Sequence, residues 1–156
     1  MSSTENLEAE QENRMRHTLS HVMAAALTEM YPGIQFGIGP AIKDGFYYDV
    51  DLSKVKNADG VVKISDSDLS KIEKRMRKII ASGFKMRSFE KTREEALAWA
   101  SDNGQGYKVE LINELPKDEV ISFYQLNDFV DLCKGPHVKD SKEIGAFKLM
   151  RVAGAY

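Results

Sequence analysis

The sequence predicts an α+β fold in which an antiparallel β-sheet packs against α-helices. Two observations support this class. Helix-type and strand-type segments are mixed without the strict alternation of a doubly wound parallel sheet, and the pair Asp44-Gly45 is typical of a hairpin between antiparallel strands. With 156 residues the chain has the usual size of one domain. We expect a single domain at 15–156, preceded by a flexible acidic leader at 1–14.

The first predicted element is a helix from Met15 to Met30. Apolar residues recur there at helical spacing, and Pro32-Gly33 ends the pattern. In the next segment, from Ile34 to Asp51, short apolar pieces alternate with glycines. This segment predicts two antiparallel strands with their turn at Asp44-Gly45.

Two further helices are marked by their first residues. Ser65 and Asp68 have the spacing of a capping box and open a second helix, which Gly83 ends. Thr92 opens a third helix, which we expect to run through Trp99. The segment at 107–115 fits a helix and a strand equally well.

The remaining segments predict strands and one exposed excursion. Residues 54–63 are polar and are expected to lie at the surface. Segments rich in β-branched and aromatic residues predict strands at 84–89, 120–126, 129–133 and 146–152.

Composition limits the function classes. The net charge of −2 excludes a protein that coats nucleic acid through bulk electrostatics, so any RNA contact must be local. No apolar run reaches the roughly 18 residues of a membrane span, and the N-terminus lacks a signal-peptide pattern, which predicts a cytoplasmic protein without a membrane partner. One basic run is interpreted as a solvated surface, with contact to RNA phosphates left open; it comprises Lys71, Lys74, Arg75, Arg77, Lys78, Lys85 and Arg87.

Two histidines share a face of the first helix. His17 and His21 are four residues apart, a spacing that suits the joint capture of a metal, a water or a phosphate. The apolar stripe of this helix lies nearly opposite. We therefore expect these residues to face solvent or to form one wall of a cleft, and not to be core histidines.

The only cysteine lies close to the third histidine. Cys133 precedes His137 by four residues, and strand alternation places Asp131 on the same face as Cys133. The thiol and the three imidazoles, those of His17, His21 and His137, are a plausible tetrahedral zinc set. A nucleophilic Cys–His pair is the weaker alternative, because the spacing supplies no oxyanion donors.

Six motifs, taken in order, resemble the editing domain of bacterial-type threonyl-tRNA synthetases. They are His17-Thr-Leu-Ser-His21, Ile38-Gly39-Pro40, Asp44 to Asp49, Tyr107-Lys108-Val109, Asp131 to His137 and Phe147 to Tyr156. The related alanyl editing proteins share the histidine and cysteine elements. They generally have Gly-Thr-His where this chain has Gly135-Pro136-His137, which favours the threonyl family.

The resemblance implies both a fold and an activity. The fold is the second additional domain shared by threonyl- and alanyl-tRNA synthetases, with the site in a cleft between antiparallel sheet and helices. The activity is hydrolysis of mischarged seryl-tRNA(Thr). The alternatives are a tRNA-docking module without hydrolytic activity and a zinc-dependent deacylase of the alanyl type.

The family's editing residues correspond to seven positions of this sequence. The resemblance implies catalytic roles for His17, His21, Lys108 and Asp131, and contacts to the substrate for Tyr48, Cys133 and His137. We expect Asp131 and the two helix histidines to bind the ammonium and hydroxyl of serine. Lys108 and one histidine would position and polarise the attacking water.

Cofactor and partner expectations follow from the same resemblance. The His/Cys set holds zinc in the alanyl relatives but is generally regarded as metal-free in threonyl editing domains, so no cofactor is expected and zinc stays open. ATP and magnesium belong to the aminoacylation core, which we expect to lie outside this segment of a longer enzyme. The partner is the acceptor end of tRNA(Thr) carrying serine. The parent enzyme is expected to be a homodimer, and the segment alone could be a monomer.

Overall fold

A computed structural model describes residues 3–39, 41–55, 62–133 and 137–153. Within these ranges the helices are α1 (Ser3–Met30), α2 (Leu69–Ser82), α3 (Arg93–Asp102) and α4 (Gly106–Glu114), with short 3-10 turns at Asp66–Asp68 and Ser141–Glu143. The strands are β1 (Gln35–Phe36), β2 (Ala41–Ile42), β3 (Gly45–Phe46), β4 (Val50–Asp51), β5 (Arg87–Lys91), β6 (Ile121–Leu126) and β7 (Phe129–Leu132). The α+β class predicted from sequence is confirmed.

Helix α1 is longer than predicted. It begins at Ser3, so the prediction that it starts at Met15 behind a frayed leader was wrong. Glutamate, alanine, glutamine and arginine favour helix without needing a buried face. Apolar periodicity reveals only the part of a helix that packs, and this part begins near Met15, whose sulfur approaches Gly145.

The middle of α1 is buried on nearly every side. From Thr18 to Leu27 all side chains except that of Met23 are buried, including His21. The prediction that neither histidine is a core residue was therefore wrong for His21. The small residues Ala24 to Ala26 let neighbouring elements approach this helix closely, so it has no solvated face here.

Residues 34–51 form two short antiparallel ladders that continue one another. Strand β1 pairs with β4 and β2 pairs with β3. Between the ladders, the N–H of Gly37 donates to the carbonyl of Asp49, and the N–H of Asp49 donates to the carbonyl of Ile38. This confirms the predicted strand pair. Ile42 lies opposite Gly45, so the turn consists of Lys43-Asp44, one residue before the predicted position.

A three-stranded antiparallel sheet, in the order β5-β6-β7, forms the second layer. Asn127 has the left-handed φ of 52° that tight β-hairpin turns favour, and it joins β6 to β7. One sheet face packs on α3 and α4 through Phe89 and Phe123, and the other meets the α1 core through Leu126 and Phe129. The sheet therefore separates two apolar cores.

Both predicted capping patterns are present. The Asp68 carboxylate accepts the backbone N–H of Ser65 at 2.9 Å, at the 3-10 turn that leads into α2, and α2 ends at Gly83. The Thr92 hydroxyl accepts the N–H of Glu95 at 3.2 Å and opens α3. The ambiguous segment at 107–115 is the helix α4.

Two strand predictions and the predicted surface excursion need correction or restriction. The strand predicted at 84–89 is β5, which begins later at Arg87. The strand predicted at 146–152 is absent from the described residues, because side chains take up its backbone groups: Glu73 accepts the N–H of Leu149 at 2.8 Å, and Asp66 accepts that of Val152 at 2.9 Å. Most of the predicted excursion at 54–63 falls outside the described residues.

The basic run on α2 and the following strand is exposed, as predicted. Arg75 pairs with Glu29 at 3.4 Å, and Arg77 pairs with Glu73 at 3.2 Å. Within the described part of the chain, no helix has the length and apolar character needed to cross a bilayer.

Candidate active site

A buried ion pair lies where α4 meets the start of the hairpin segment. Lys108 of α4 and Asp131 of β7 are only 3% and 2% exposed, and Lys108 Nζ lies 3.0 Å from Asp131 Oδ1. Lys108 also donates to the carbonyl of Gly37 at 2.6 Å, and Asp131 Oδ1 accepts the N–H of Leu132 at 2.7 Å. Both charges are thus held by fixed partners inside the fold, so Lys108 is not a surface lysine.

Tyr48 contacts both members of this ion pair. Its hydroxyl donates to Asp131 Oδ2, and Lys108 Nζ lies 5.7 Å from the centre of its ring. Gly39 packs directly on the ring, where a Cβ would collide with it. The absent side chain of Gly39 therefore gives Tyr48 the room to reach Asp131.

A second group combines imidazoles with the thiol, and comprises His17, His21, Cys133 and His137. The His137 ring lies 5.7 Å from that of His17 and 4.5 Å from that of His21, between centres. Cys133 Sγ is 3.7 Å from His137 Nε2. The backbone N–H of Val138 donates to the Thr18 hydroxyl of α1 at 2.9 Å, which brings His137 against the two helix histidines.

Tyr124 joins this group although the sequence analysis missed it. It lies directly opposite Asp131 in the β6–β7 ladder, and its ring centre is 4.1 Å from that of His137. Residues opposite one another in an antiparallel pair project from the same sheet face. The hairpin pairing around Asn127 was the signal that could have identified it.

The imidazoles are held in their neutral form. Burial lowers the pKa of His17, and burial, with smaller contributions from His137, Lys108 and His17, lowers that of His21 well below its ordinary value. Burial and the neighbouring His17 lower the pKa of His137 to about 3. At neutral pH the three rings therefore offer nitrogen acceptors as well as N–H donors.

Burial and the ion-pair contact act in opposite directions on the pKa values of Lys108 and Asp131. Burial lowers the pKa of Lys108 to about 8, with Cys133 acting in the opposite direction, and burial raises that of Asp131 to about 8 against the Leu132 hydrogen bond. Burial thus favours the neutral form of each group, while the 3.0 Å contact favours the ion pair. We therefore treat the two groups as one coupled unit.

The predicted zinc set is only partly assembled. Ligand atoms of His17, Cys133 and His137 lie within 4.8 Å of one another, an arrangement that fits three ligands of a zinc ion. His21 is not part of this cluster. The Nδ1 atoms of His21 and His137 are buried without a hydrogen-bond partner in the described structure.

The seven side chains selected from sequence thus come together around β7. The turn predicted at Gly135-Pro136 lies outside the described residues. A cavity of about 440 Å³ lies between α1, Gln105 and the β6–β7 turn, and it is lined by Asp131 but by none of the histidines. This cavity therefore meets the site at Asp131 and not at the imidazoles.

Comparison with known proteins finds a family that matches part of the chain. Residues 121–154 match the family described as the threonyl and alanyl tRNA synthetase second additional domain. The match covers the end of the three-stranded sheet, including Tyr124, Asp131, Cys133 and His137, and confirms the resemblance identified from sequence.

Whole-chain relatives are threonine–tRNA ligases. The enzyme of Acetivibrio thermocellus is 49% identical over 141 residues, which cover 90% of this chain and 21% of that protein. The enzyme of Clostridium novyi is 44% identical over 147 residues, 94% of this chain and 22% of that protein. For Clostridioides difficile the identity is 46% over 141 residues, 90% of this chain and 21% of that protein. The chain therefore spans about a fifth of the length of these relatives.

Proposed function

We propose that this domain hydrolyses the ester bond of serine wrongly attached to tRNA(Thr). The observation that carries the proposal is the buried Lys108–Asp131 pair beside neutral imidazoles and a thiol, in a chain related to threonine–tRNA ligases. The partner would be the acceptor end of a cytoplasmic tRNA. Aminoacylation, with its ATP and magnesium, would belong to the part of the relatives that this chain does not cover.

A separate hydrolytic site is needed because binding alone discriminates poorly between serine and threonine. Serine lacks the methyl group of threonine, and a difference of this size in an apolar pocket is worth only about 1–3 kcal/mol. A synthetase that accepts threonine therefore also charges some serine. A second site that admits serine and rejects the larger threonine removes the product.

The neutral imidazoles would bind the seryl group. An ammonium has three donors, and the half-buried His17 presents an acceptor nitrogen that is not tied up by a charge. The His21 ring packs edge-on against that of His137, with 4.5 Å between ring centres, so we assign His21 to positioning His137. Asp131 is occupied by Lys108 and Tyr48, which makes it the residue that orients these two groups.

Lys108 would act as the base. Loss of its ammonium proton to solvent leaves a neutral amine, which accepts a proton from water as the water oxygen attacks the ester carbonyl carbon. The bond between that carbon and the ribose oxygen then breaks. The proton passes to the ribose oxygen, and the products are free serine and tRNA with an intact 3′ end.

Zinc defines the competing enzymatic proposal. His17, Cys133 and His137 would hold the ion, and a bound zinc ion lowers the pKa of water. None of the steps above uses a metal. The other alternative, docking of tRNA without turnover, would leave the buried pair without a chemical role.

Deacylation assays separate these proposals. The purified chain is mixed with seryl-tRNA(Thr), threonyl-tRNA(Thr) and alanyl-tRNA(Ala), and its metal content is measured. We expect loss of seryl-tRNA(Thr) well above the spontaneous rate and threonyl-tRNA(Thr) that stays intact. Background loss of all three, with tRNA binding, would support docking alone; zinc-dependent loss of alanyl-tRNA(Ala) would support the alanyl type.

A further inference from the structure

The hairpin segment Ile38–Tyr47 exposes apolar side chains close to the candidate active site. Ile38 is 48% exposed, Ile42 49% and Tyr47 40%. A soluble surface tolerates single exposed apolar residues, but three within ten positions form a patch. We refer to these three residues as the hairpin patch.

The backbone of this segment borders the site. The Gly39 carbonyl accepts the hydroxyl of Ser20, which lies on α1 between His17 and His21. Ile38 is flanked by Gly37, whose carbonyl holds Lys108, and by Gly39, which packs on Tyr48. Tyr47 directly precedes Tyr48 in the chain. The hairpin patch is thus continuous with the catalytic groups.

The hairpin also contacts α1. Residues 34–39 follow the end of α1 and return to the level of Ser20, and both β2 and β3 then contact α1.

Two exposed cations lie close to the candidate site or to the hairpin patch. Arg14 lies three residues before His17, a spacing that puts the two side chains about 5–6 Å apart between Cβ atoms. Its guanidinium is exposed, and no described carboxylate pairs with it. Lys43 at the hairpin turn is likewise exposed without an ion-pair partner among the described residues.

We propose that the hairpin patch and Arg14 bind the unpaired nucleotides that precede the esterified end of the RNA. This inference rests on the proposed function. Single-stranded RNA is held by aromatic and apolar surfaces on which bases stack and by cations that meet the phosphates. Tyr47 stacks on a base, Ile38 and Ile42 cover the adjoining sugar and base edges, and Arg14 meets a phosphate. Because the net charge is −2, such a contact has to be local.

The test compares two substrates that differ only in the preceding nucleotides. These are seryl-tRNA(Thr) and the seryl ester of adenosine, which carries the same scissile bond without phosphates. Tyr47→Ala should raise KM for seryl-tRNA(Thr) about five- to tenfold, the loss expected for one base–aromatic stack, with kcat nearly unchanged. Hydrolysis of the seryl ester of adenosine should stay the same. Tyr47→Phe should restore the tRNA value, because the ring is retained.

Arg14→Gln extends the test to the phosphate. It should raise KM for seryl-tRNA(Thr) and reduce the dependence of binding on salt, again without effect on the adenosine ester. Val120→Ala is the matched control, because Val120 is an exposed apolar residue, at 59%, outside the hairpin. An equal loss with both substrates would overturn the inference, since Tyr47 would then act through Tyr48. An unchanged KM for tRNA would also overturn it.

The inference can be separated from the proposed hydrolysis. Binding of a short single-stranded RNA ending in CCA is measured by fluorescence anisotropy for the wild type and the same variants. Weaker binding by Tyr47→Ala and Arg14→Gln, but not by Val120→Ala, supports the hairpin site even if the wild type hydrolyses no ester. Equal binding by all four proteins contradicts it, and would leave the patch free for contact with another protein surface.

Discussion

The two halves of the candidate site differ in how their polar groups are satisfied. In the half formed by Lys108, Asp131 and Tyr48, every buried charge has a fixed partner. In the half formed by the histidines and Cys133, two buried nitrogens have none within the described structure. A fully paired network holds one geometry, whereas in the second half the half-buried His17 keeps an acceptor nitrogen that a ligand can reach. Under the proposed function, the first half acts on water and the second binds the amino acid.

The two halves of the candidate site should also differ in how the loss of one side chain affects stability. A buried ion pair costs desolvation that its attraction roughly repays, so the pair itself stabilises little. Removing one partner is different, because the remaining charge stays buried and unpaired. Neutral imidazoles leave no such charge when one of them is removed.

Replacement of Lys108 should therefore have the largest effect. Lys108→Ala leaves Asp131 without its cation and should lower the free energy of unfolding by about 3–5 kcal/mol. The rate of deserylation should fall by a factor on the order of 10²–10⁴, the usual contribution of a general base. Urea denaturation and single-turnover hydrolysis measure the two effects. An unchanged unfolding free energy would contradict the burial of the pair.

Replacement of His17 should affect activity without affecting the fold. His17 is half-buried and neutral, so His17→Ala should change the free energy of unfolding by no more than about 1 kcal/mol. Loss of one hydrogen bond to a charged group, about 1.5–3 kcal/mol, should lower kcat/KM about 10- to 100-fold. His17→Gln, which keeps a polar acceptor, serves as the comparison. Full activity of both variants would show that His17 does not bind the seryl group.

The pH dependence of the rate of deserylation should reflect the half of the site that contains Lys108, and not the imidazoles. Lys108 must lose its proton to act as a base, and burial lowers its pKa to about 8. The rate should rise about tenfold between pH 7 and pH 9, with its midpoint near 8, after subtraction of the rate for Lys108→Ala. The imidazoles are already neutral over this range and add no inflection. A profile with a midpoint near 6.5 would assign the titrating base to a histidine.

Removal of metal should have the smallest effect. We expect treatment with a chelator to change the rate of deserylation by less than about twofold, because the proposed steps use only side chains. Wild-type protein dialysed without chelator is the control. A loss that added zinc restores, but magnesium does not, would move the chemistry to the cluster of His17, Cys133 and His137.

Sequence reasoning predicted which side chains lie close together more reliably than it predicted their surroundings. The spacing of His17 and His21 correctly placed them on one helix face, and the residues around Cys133 correctly pointed to a strand followed by His137. Burial of His21 was missed because apolar periodicity does not show that a run of small alanines admits neighbours on every side. Tyr124 was missed because its role depends on strand register.

The fold was predicted best where local signals decide it. The capping residues Ser65 and Thr92 and the stop at Gly83 are local, and each was correct within a few residues. The segment at 146–152 has strand-like composition, but its backbone groups bond to Glu73 and Asp66 of a distant element. The extended start of α1 has no apolar face, so its pattern was taken for a leader.

The most direct test of the account replaces the whole buried pair. The double variant Lys108→Met with Asp131→Leu exchanges two charges for apolar groups of similar volume, and such exchanges are often neutral or stabilising. We predict a protein that still folds, because no unpaired charge is left in the core, and that fails to hydrolyse seryl-tRNA(Thr) above the spontaneous rate. A stable double variant that deserylates at the wild-type rate would contradict the claim that this pair carries the chemistry.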